Sequence, residues 1–362
     1  MMMEQLVNEQ IPPDSLALVA MSGGVDSSVV AAMLLEQGIR CIGVTMQHKP
    51  TGQEQDIADA KAVCTHLGIP HITVSIQEEY EIFLEEEIRK VYGQGRTPNP
   101  CVLCNERMKF GLFFDKFISL AEEQQIIPDT DRDRPIFYAS GHYARVVKLD
   151  SGYYSVARAP YAQKDQSYFL YRLTQNQLQR LRFPLGEMEK PQVRLLAEKY
   201  GLIVKKKPDS QDFCMHPSVL RPAKEKPTVL VNQSGDILGA GLGISHYTIG
   251  MRRGLGVSST TPLYVTELRP ETGEVVLGEE SELYRSAFTV DQIVYVPELL
   301  DYANRVSVRI RSMSTAQPAT VSLSDDGKLM YIVTKQPQRA VTPGQSAVLY
   351  YGEVVLGGGF IC

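Results

Sequence analysis

The stretch Leu16-Ala17-Leu18-Val19-Ala20-Met21-Ser22-Gly23-Gly24-Val25-Asp26-Ser27-Ser28 decides how this chain is read. Its first four residues form an apolar run that reads as a short buried strand. Val29 to Gln37, rich in Ala, Leu and Met, reads as a helix closed by Gly38. A strand, a tight loop of small residues and a helix N-terminus together make an anion site. Gly23 and Gly24 let the backbone turn sharply and approach a phosphate. Ser22, Ser27 and Ser28 offer hydroxyls, and the helix N–H groups point at the anion. The spacing lacks the Gly-Lys-Ser/Thr ending of a P-loop. It also lacks the Gly-x-Gly-x-x-Gly of a dinucleotide fold.

Outward from this stretch, strand and helix alternate. Arg40 to Met46 and Ile72 to Val74 read as strands, and Asp56 to Leu67 and Tyr80 to Val91 as helices. The β-α-β-α-β order predicts an α/β fold with an N-terminal doubly wound parallel sheet and helices on both faces. Ligands of such sheets lie beyond the carboxyl ends of the strands. Met46 ends its strand there, and packs either on a nucleotide base or in the core. Pro135 to Arg145 reads as a strand ending at Gly141-His142, where glycine lets the backbone approach a ligand. Val146 to Ala157 reads as a hairpin turning at Asp150-Ser151-Gly152. Gln175 to Leu181 and Lys190 to Tyr200 are two more helical patterns.

Beyond residue 207 helical patterns nearly vanish. Short β-like runs replace them: Thr228–Val231, Tyr264–Leu268, Val275–Leu277, Arg305–Arg311, Met330–Val333 and Ala347–Tyr351. They predict a small β-rich central domain and a C-terminal β-barrel. The expected domains are 1–207, 208–282 and 283–362. Arg305, Arg309 and Arg311 share one face of a strand by parity, either as a phosphate-binding stripe or as a solvated surface.

A chain of 362 residues with 43% hydrophobic and 22% charged residues has material for more than one globular core. No apolar run approaches the roughly 20 residues that span a membrane. The N-terminus has neither the basic nor the apolar region of a secretory signal, so a cytoplasmic location is expected. The net charge of −5 leaves nucleic-acid binding to local patches.

Six cysteines stand at 41, 64, 101, 104, 214 and 362. In a reducing compartment they are core residues, metal ligands or reactive thiols. Cys41 and Cys64 lie in apolar contexts and read as core. Tyr92 to Cys104 is punctuated by Gly and Pro and reads as an irregular loop, followed by a helix from Asn105 to Ala121. Cys104 thus stands at a helix N-terminus, whose field favours a thiolate. The pair Cys101-x-x-Cys104 is a zinc half-site without its second half, a structural pair, or a pair of reactive thiols. With Cys214 it is alternatively a three-cysteine iron–sulfur site. Cys214 follows Lys205-Lys206-Lys207 in a polar loop, and these lysines face solvent or hold phosphates. Lys164 to Tyr171 is either a helix start or an RNA-contact surface.

Five motifs then fall in a telling order: Ser22-Gly23-Gly24-Val25-Asp26-Ser27, Thr97-Pro98-Asn99-Pro100 through Cys104-Asn105, Gly141-His142-Tyr143-Ala144-Arg145, Lys164 through Leu170, and Asp209-Ser210 through Cys214. Thr342 to Ala347 adds a sixth. Together they resemble the tRNA-specific 2-thiouridylases of the PP-loop ATP pyrophosphatase superfamily. The likeness covers nearly the whole chain. It implies an adenine nucleotide α-hydrolase-like N-terminal domain and ATP-dependent thiolation of C2 of the wobble uridine, with release of AMP and pyrophosphate.

By this resemblance Ala20, Met21, Ser22, Gly23, Gly24, Val25, Asp26, Ser27, Met46 and Gly141 contact ATP, with Mg²⁺ screening the pyrophosphate. Asn99, Pro100 and Cys101 face the target base. His142, Lys164, Asp165, Gln166, Arg309, Ile310 and Gln345 contact tRNA. Cys214 carries sulfur as a persulfide and Cys104 is the nucleophile, the two closing each cycle as a disulfide. The implied partners are tRNA and a persulfide-carrying sulfur donor, with no membrane and a monomeric free enzyme.

Two departures stand out. Some relatives carry Asp where this chain has Cys101, so no carboxylate is available there. Cys101, Cys104 and Cys214 are then candidate ligands of a [4Fe–4S] cluster. Met215 to Gly243 also lacks the acidic and aromatic pattern of relatives, so no tRNA contact is carried over to it. Two rival readings remain. A PP-loop amidating ligase would explain Ser22 to Ser27 but leave Cys104 and Cys214 idle. A non-catalytic tRNA-binding protein would keep the loop without turnover.

Overall fold

Leu16–Ala20 (β2) is the middle strand of a five-stranded sheet, which is why it reads as an unbroken apolar run. Leu16, Ala17, Leu18 and Val19 are all fully buried. The computed structural model describes residues 4–7, 11–12, 14–123, 127, 134–208 and 220–362. Ahead of β2 lies β1 (Glu4–Leu6). After it come β3 (Arg40–Gln47), β4 (His71–Ser75), β5 (Ile136–Ala139), β6 (Ala144–Leu149), β7 (Tyr154–Arg158) and β8 (Leu181–Arg182). The sheet order is β4-β3-β2-β5-β8, and every pairing is parallel. The chain winds outward from β2 to β4, then returns to the other side of β2 as β5. That reversal makes the β2/β5 junction the switch point, where such sheets bind ligands.

α1 (Val25–Glu36) follows β2 directly and buries Val29, Val30, Ala31 and Leu34. Full burial of each of its larger apolar side chains contributes roughly 1.5–3 kcal/mol. α2 (Glu54–Leu67) follows β3, and its Cys64 fills the space above Gly43, where a Cβ would stand 2.4 Å from the sulfur. Cys41 and Cys64 belong to one apolar cluster, as their sequence contexts imply. Burial, aided by the neighbouring Cys64, pushes the Cys41 thiol up to about 12, and burial pushes Cys64 up to about 11. Neither is poised for thiolate chemistry.

α3 (Gln77–Phe83) passes through wide i→i+5 turns at Leu84–Arg89 into α4 (Lys90–Gly93). The expected helix at Asn105 starts earlier. α5 (Pro100–Leu103) leads without a break into wide turns at Cys104–Leu112 and then α6 (Phe113–Glu123). Pro100 suits a first helical position, because its missing N–H would lack a partner there anyway. Cys101 and Cys104 therefore lie inside a helix, not in an irregular loop. The wide turns have two causes, one local and one distant. Gly111 lets its backbone approach the Glu106 carbonyl, where a Cβ would stand at 3.1 Å. The Gln177 amide donates to the carbonyls of Glu106 and Phe110 at 2.7 and 3.0 Å. An inserted side-chain donor of this kind stabilises a break in the regular ladder. α7 (Gln175–Arg180) carries that glutamine, and α8 (Lys190–Lys199) packs on α1.

The chain divides into two compact units. The first comprises Met1–Tyr80, Cys101–Asp212 and Glu353–Val355. It holds the parallel sheet and the expected hairpin β6–β7, which pairs with β1 on one side and Val354 on the other.

The second comprises Glu81–Pro100, Phe213–Gly352 and Leu356–Cys362. In it β9 (Val229–Val231), β10 (Ile237–Ala240), β11 (Tyr264–Arg269) and β12 (Glu274–Gly278) form a mixed sheet in the order β10-β9-β12-β11. Its core gathers Leu230, Tyr247, Val265, Val275 and Leu277. β13 (Tyr284–Tyr295), α9 (Glu298–Tyr302), β14 (Val306–Arg309), β15 (Gln317–Leu323), β16 (Met330–Arg339), β17 (Ser346–Tyr351) and β18 (Val354–Ile361) follow. β13 to β18 make the six-stranded antiparallel barrel, closed where β18 meets both β13 and β17.

β18 escapes a propensity reading because it contains Gly357-Gly358-Gly359. Closure requires small residues there. A Cβ on Gly357 would stand 2.4 Å from the Val294 carbonyl, and one on Gly359 would stand 2.6 Å from that of Asp291. The arginine stripe also reads differently in three dimensions. β14 ends at Arg309, so Arg305 and Arg311 lie outside it. Arg309 is buried, its Nε donating to the Ser314 carbonyl at 3.2 Å. Arg311 donates to Ala340 and Thr342, and Arg305 stacks on Tyr302. These three arginines brace the barrel. No helix among the described residues is long and apolar enough to cross a membrane.

Candidate active site

β2 delivers the chain to the switch point at Ala20. Met21 is buried, and its N–H donates to the Val44 carbonyl on β3 at 2.9 Å. Gly23 has φ +73°, and a Cβ there would lie 2.3 Å from the Asp56 carbonyl. Only glycine fits both demands. Gly24 is the N-cap of α1 and supplies no side-chain cap, so the first turn presents N–H donors without one. Ser27 Oγ accepts from the Ser22 N–H at 3.2 Å and donates to the Gly24 carbonyl. Ser28 is fully buried and donates to that same carbonyl at 2.7 Å. Ser27 and Ser28 thus shape the loop, while Ser22 is exposed. The Ser22 and Ser27 hydroxyls lie 3.2 Å apart.

β5 reaches the same point through Ser140-Gly141-His142. A Cβ on Gly141 would stand 2.9 Å from both Asp26 Cβ and the Ser27 nitrogen. The two loops are therefore packed backbone against backbone. Tyr143, buried, donates its hydroxyl to Asp26 Oδ1 at 3.0 Å. Lys190, the first residue of α8, donates to the same oxygen at 2.5 Å. Neither residue is among the ATP contacts that the family resemblance implies. A lysine at the first position of a helix, where the macrodipole disfavours a cation, was the available signal.

Lys207 is the last residue of the lysine triplet. Its Nζ donates to the Gly23 carbonyl at 3.1 Å, to Asp56 at 2.8 Å and to Asp59 at 2.7 Å. Burial works against its charge, but the bonds to Asp56 and Asp59 outweigh it and hold the ammonium above its ordinary value. The main chain here is fixed too, since Arg194 donates to the carbonyls of Lys205 and Lys207 at 2.8 Å each.

Met46 stands half-buried near the end of β3, two residues before His48. The imidazole of His48 packs on Tyr80 with ring centroids 4.7 Å apart. Burial first, then the charge of Lys49, lowers His48 to about 4. His142 Nδ1 pairs with Ser140 Oγ at 2.8 Å, and its ring sits near Phe110 and Phe183. Burial, then the charge of Lys109, holds it well below the usual histidine range. Lys109 repels charge on both imidazoles and lies on the same helical run as Cys104. Both histidines are neutral near pH 7.

Cys104 is buried and Cys101 half-buried, three residues apart on successive turns. Behind them Asn105 donates to the Phe169 carbonyl at 3.2 Å, and Glu106 pairs with Arg172 at 2.8 Å. Asp165 accepts from the N–H groups of Ala159 and Ser167, and Gln166 exchanges bonds with the Tyr143 backbone. Asp165 and Gln166 thereby hold the loop that carries half-buried Lys164.

In the second unit Gln345 donates to the carbonyls of Thr97 and Pro98 at 3.0 and 3.2 Å. Asn99 is buried and Pro100 half-buried. Gln345 is thus joined to the segment assigned to the target base. Arg309 and Ile310 are both buried in the barrel. Cys214 and the motif Asp209-Ser210 through Cys214 lie outside the described residues.

Comparison with known proteins bears on the whole chain. Residues 16–218 match a family model described as tRNA methyl transferase HUP domain. Residues 220–279 match its PRC-barrel domain, and 285–361 match an aminomethyltransferase beta-barrel domain. A protein of Carboxydothermus hydrogenoformans named tRNA-specific 2-thiouridylase MnmA is 40% identical over 95% of this chain and 96% of its own length. Proteins of the same name from Geobacter metallireducens and Acetivibrio thermocellus are each 37% identical over 95% of this chain. They are covered over 96% and 98% of their lengths.

Proposed function

This chain belongs to the family of the tRNA-specific 2-thiouridylases, and from that premise we propose how its residues divide the work of replacing oxygen by sulfur at C2 of a tRNA wobble uridine. The enzyme is a tRNA-uridine 2-sulfurtransferase that consumes ATP. The likeness over 95% of the chain carries this conclusion. The loop at residues 20–27 and the paired cysteines supply the two halves of the chemistry.

The C2 carbonyl of uracil is a poor electrophile with a poor leaving group. Attack of its oxygen on the α-phosphorus of ATP, with loss of the N3 proton, expels pyrophosphate and leaves an O-adenylate. C2 now carries a good leaving group. The loop from Ala20 to Ser27, with Gly141 behind it, cradles the phosphates through backbone N–H groups. Those donors stabilise charge as it develops on the pyrophosphate. Met46 packs on the adenine. Asp26 is the carboxylate of the loop that would hold Mg²⁺, and the ion screens phosphate charge when bound. Neutral His142, with Lys164, Asp165 and Gln166, borders the tRNA. Asn99, Pro100 and Cys101 face the target base, with Gln345 bracing their segment.

Sulfur arrives on Cys214 as a persulfide from a donor protein. In one route the Cys104 thiolate attacks the inner sulfur of that persulfide. Hydrosulfide leaves and a Cys104–Cys214 disulfide forms. The hydrosulfide then attacks C2 and expels AMP. In the other route the terminal persulfide sulfur attacks C2 and expels AMP first. Cys104 then attacks the Cys214 sulfur and releases the thiocarbonyl, giving the same disulfide. Either way a thiol reductant restores the dithiol for the next cycle. The reaction takes place in the cytoplasm on a monomeric enzyme.

A second reading gives Cys101, Cys104 and Cys214 to a [4Fe–4S] cluster. The one-turn spacing of Cys101 and Cys104 on one helical run favours it, because both thiols can face one ligand. Incubation of unmodified tRNA with ATP, Mg²⁺ and a persulfide donor, followed by nucleoside analysis, tests the function. It should yield 2-thiouridine and one AMP per sulfur. AMP formed with ammonia and without tRNA would instead identify an amidating ligase.

A further inference from the structure

The loop that meets the phosphates carries the Asp26 carboxylate at its helix end, where α1 and α8 both begin. α1 points its N-terminus into the loop, and its N-cap, Gly24, provides no side-chain acceptor. α8 begins at Lys190, and its ammonium lies 2.5 Å from Asp26 Oδ1. The Lys190 side chain is 12% exposed and that of Asp26 31%. Tyr143 donates to the same oxygen and lies beneath the lysine, its ring centroid 6.0 Å from Nζ. One carboxylate oxygen therefore balances an ammonium and a phenol in a place where helix dipoles also favour an anion.

A lysine is poorly suited to the first position of a helix on stability grounds. The field there opposes its charge, and a side chain with so many rotamers is costly to immobilise. Glu189 and Gln192 already cap α8 reciprocally, so Lys190 is not needed to start the helix. Its placement makes sense if a second anion enters beside Asp26.

We propose that Lys190 is a phosphate-binding residue of this enzyme. In the nucleotide-free protein Asp26 holds its ammonium, and on ATP binding the ammonium turns to the polyphosphate. Asp26 and the nucleotide compete for one cation. The exchange keeps the loop neutral when empty and supplies a charge-assisted bond when filled. The proposal rests on the assignment of ATP to this loop.

Equilibrium binding of ATP and of adenosine, measured in EDTA to remove divalent cations, tests it on the full-length protein. Lys190→Met should weaken ATP binding roughly 10- to 100-fold, the scale of a lost charged hydrogen bond, and leave adenosine binding unchanged. Lys190→Arg should retain most of the affinity. Asp26→Asn removes the competing charge and keeps the side-chain volume, so it should tighten ATP binding. That gain should vanish in the Lys190→Met background. An unchanged ratio of ATP to adenosine affinity in Lys190→Met would overturn the proposal and leave Lys190 a structural strut. So would an Asp26→Asn gain that survives without the lysine. A wild-type protein that binds neither compound would instead remove the ATP assignment itself.

Discussion

Lys207 donates from its Nζ to the carbonyl oxygen of Gly23 at 3.1 Å, tying the phosphate loop to the chain that leads toward Cys214. The same ammonium spans Asp56 and Asp59 at the start of α2. All three of its donors are in use. The loop is thus buttressed from below by a residue far from it in sequence.

Replacing Lys207 by Met leaves the two carboxylates facing each other without their cation. The loss should be about 1.5–3 kcal/mol, the range for hydrogen bonds to charged groups. Urea unfolding would read the stability change, and steady-state kinetics should show a raised KM for ATP. Equal midpoints in the two proteins would mean that solvent replaces the lysine at no cost.

Gly141→Ala would drive a Cβ to 2.9 Å from Asp26 Cβ and the Ser27 nitrogen, both fixed at the start of α1. Overpacking of this kind costs about 1–3 kcal/mol, enough for a roughly 5- to 150-fold rise in the KM for ATP. A KM within twofold of wild type would show that the two loops can separate freely.

Stability should fall as pH drops from 6.5 toward 4. Burial lowers His48 to about 4 in the folded protein, from its ordinary value near 6.5. Between those values the unfolded chain takes up a proton that the folded chain refuses. The loss from His48 alone is about 2 kcal/mol at pH 5 relative to neutral pH. His142, also lowered, acts in the same direction. Urea midpoints at pH 7 and pH 5 check this, and His48→Phe should narrow the gap between them. A gap identical to that of wild type would mean that the imidazole is protonated where it sits.

Cys104→Ser and Cys214→Ser should still release pyrophosphate in the presence of tRNA but form no 2-thiouridine. Cys101→Ser separates persulfide chemistry from an iron–sulfur cluster. With persulfide chemistry it keeps most of its activity. With a cluster it loses activity together with the iron and sulfide of anaerobically prepared protein. Full activity in Cys214→Ser would remove the persulfide role from that residue.

Where chemistry is local, the sequence is eloquent. A buried parallel strand must be apolar on both faces, so Leu16 to Val19 announce the sheet. A phosphate loop needs glycines at fixed offsets from a helix start, so Gly23, Gly24 and Asp26 announce the site. Cys41 and Cys64 declare themselves core by their neighbours. The loop spacing names only a superfamily, and the separated cysteine motifs narrow it. What the tertiary structure decided depends on partners distant in the chain. Tyr143 and Lys190 meet Asp26 only because β5 returns beside β2 and α8 packs on α1. The start of the Cys101–Cys104 helix at Pro100 reverses the local signal of Gly and Pro, and its wide turns depend on Gln177 from a later helix. Arg309 has a strand's parity but lies buried, because barrel closure, not alternation along one strand, sets which face is inside. Sequence fixes which groups are available. Long-range packing fixes which charges must share one oxygen, and that sharing makes Lys190 a ligand in waiting.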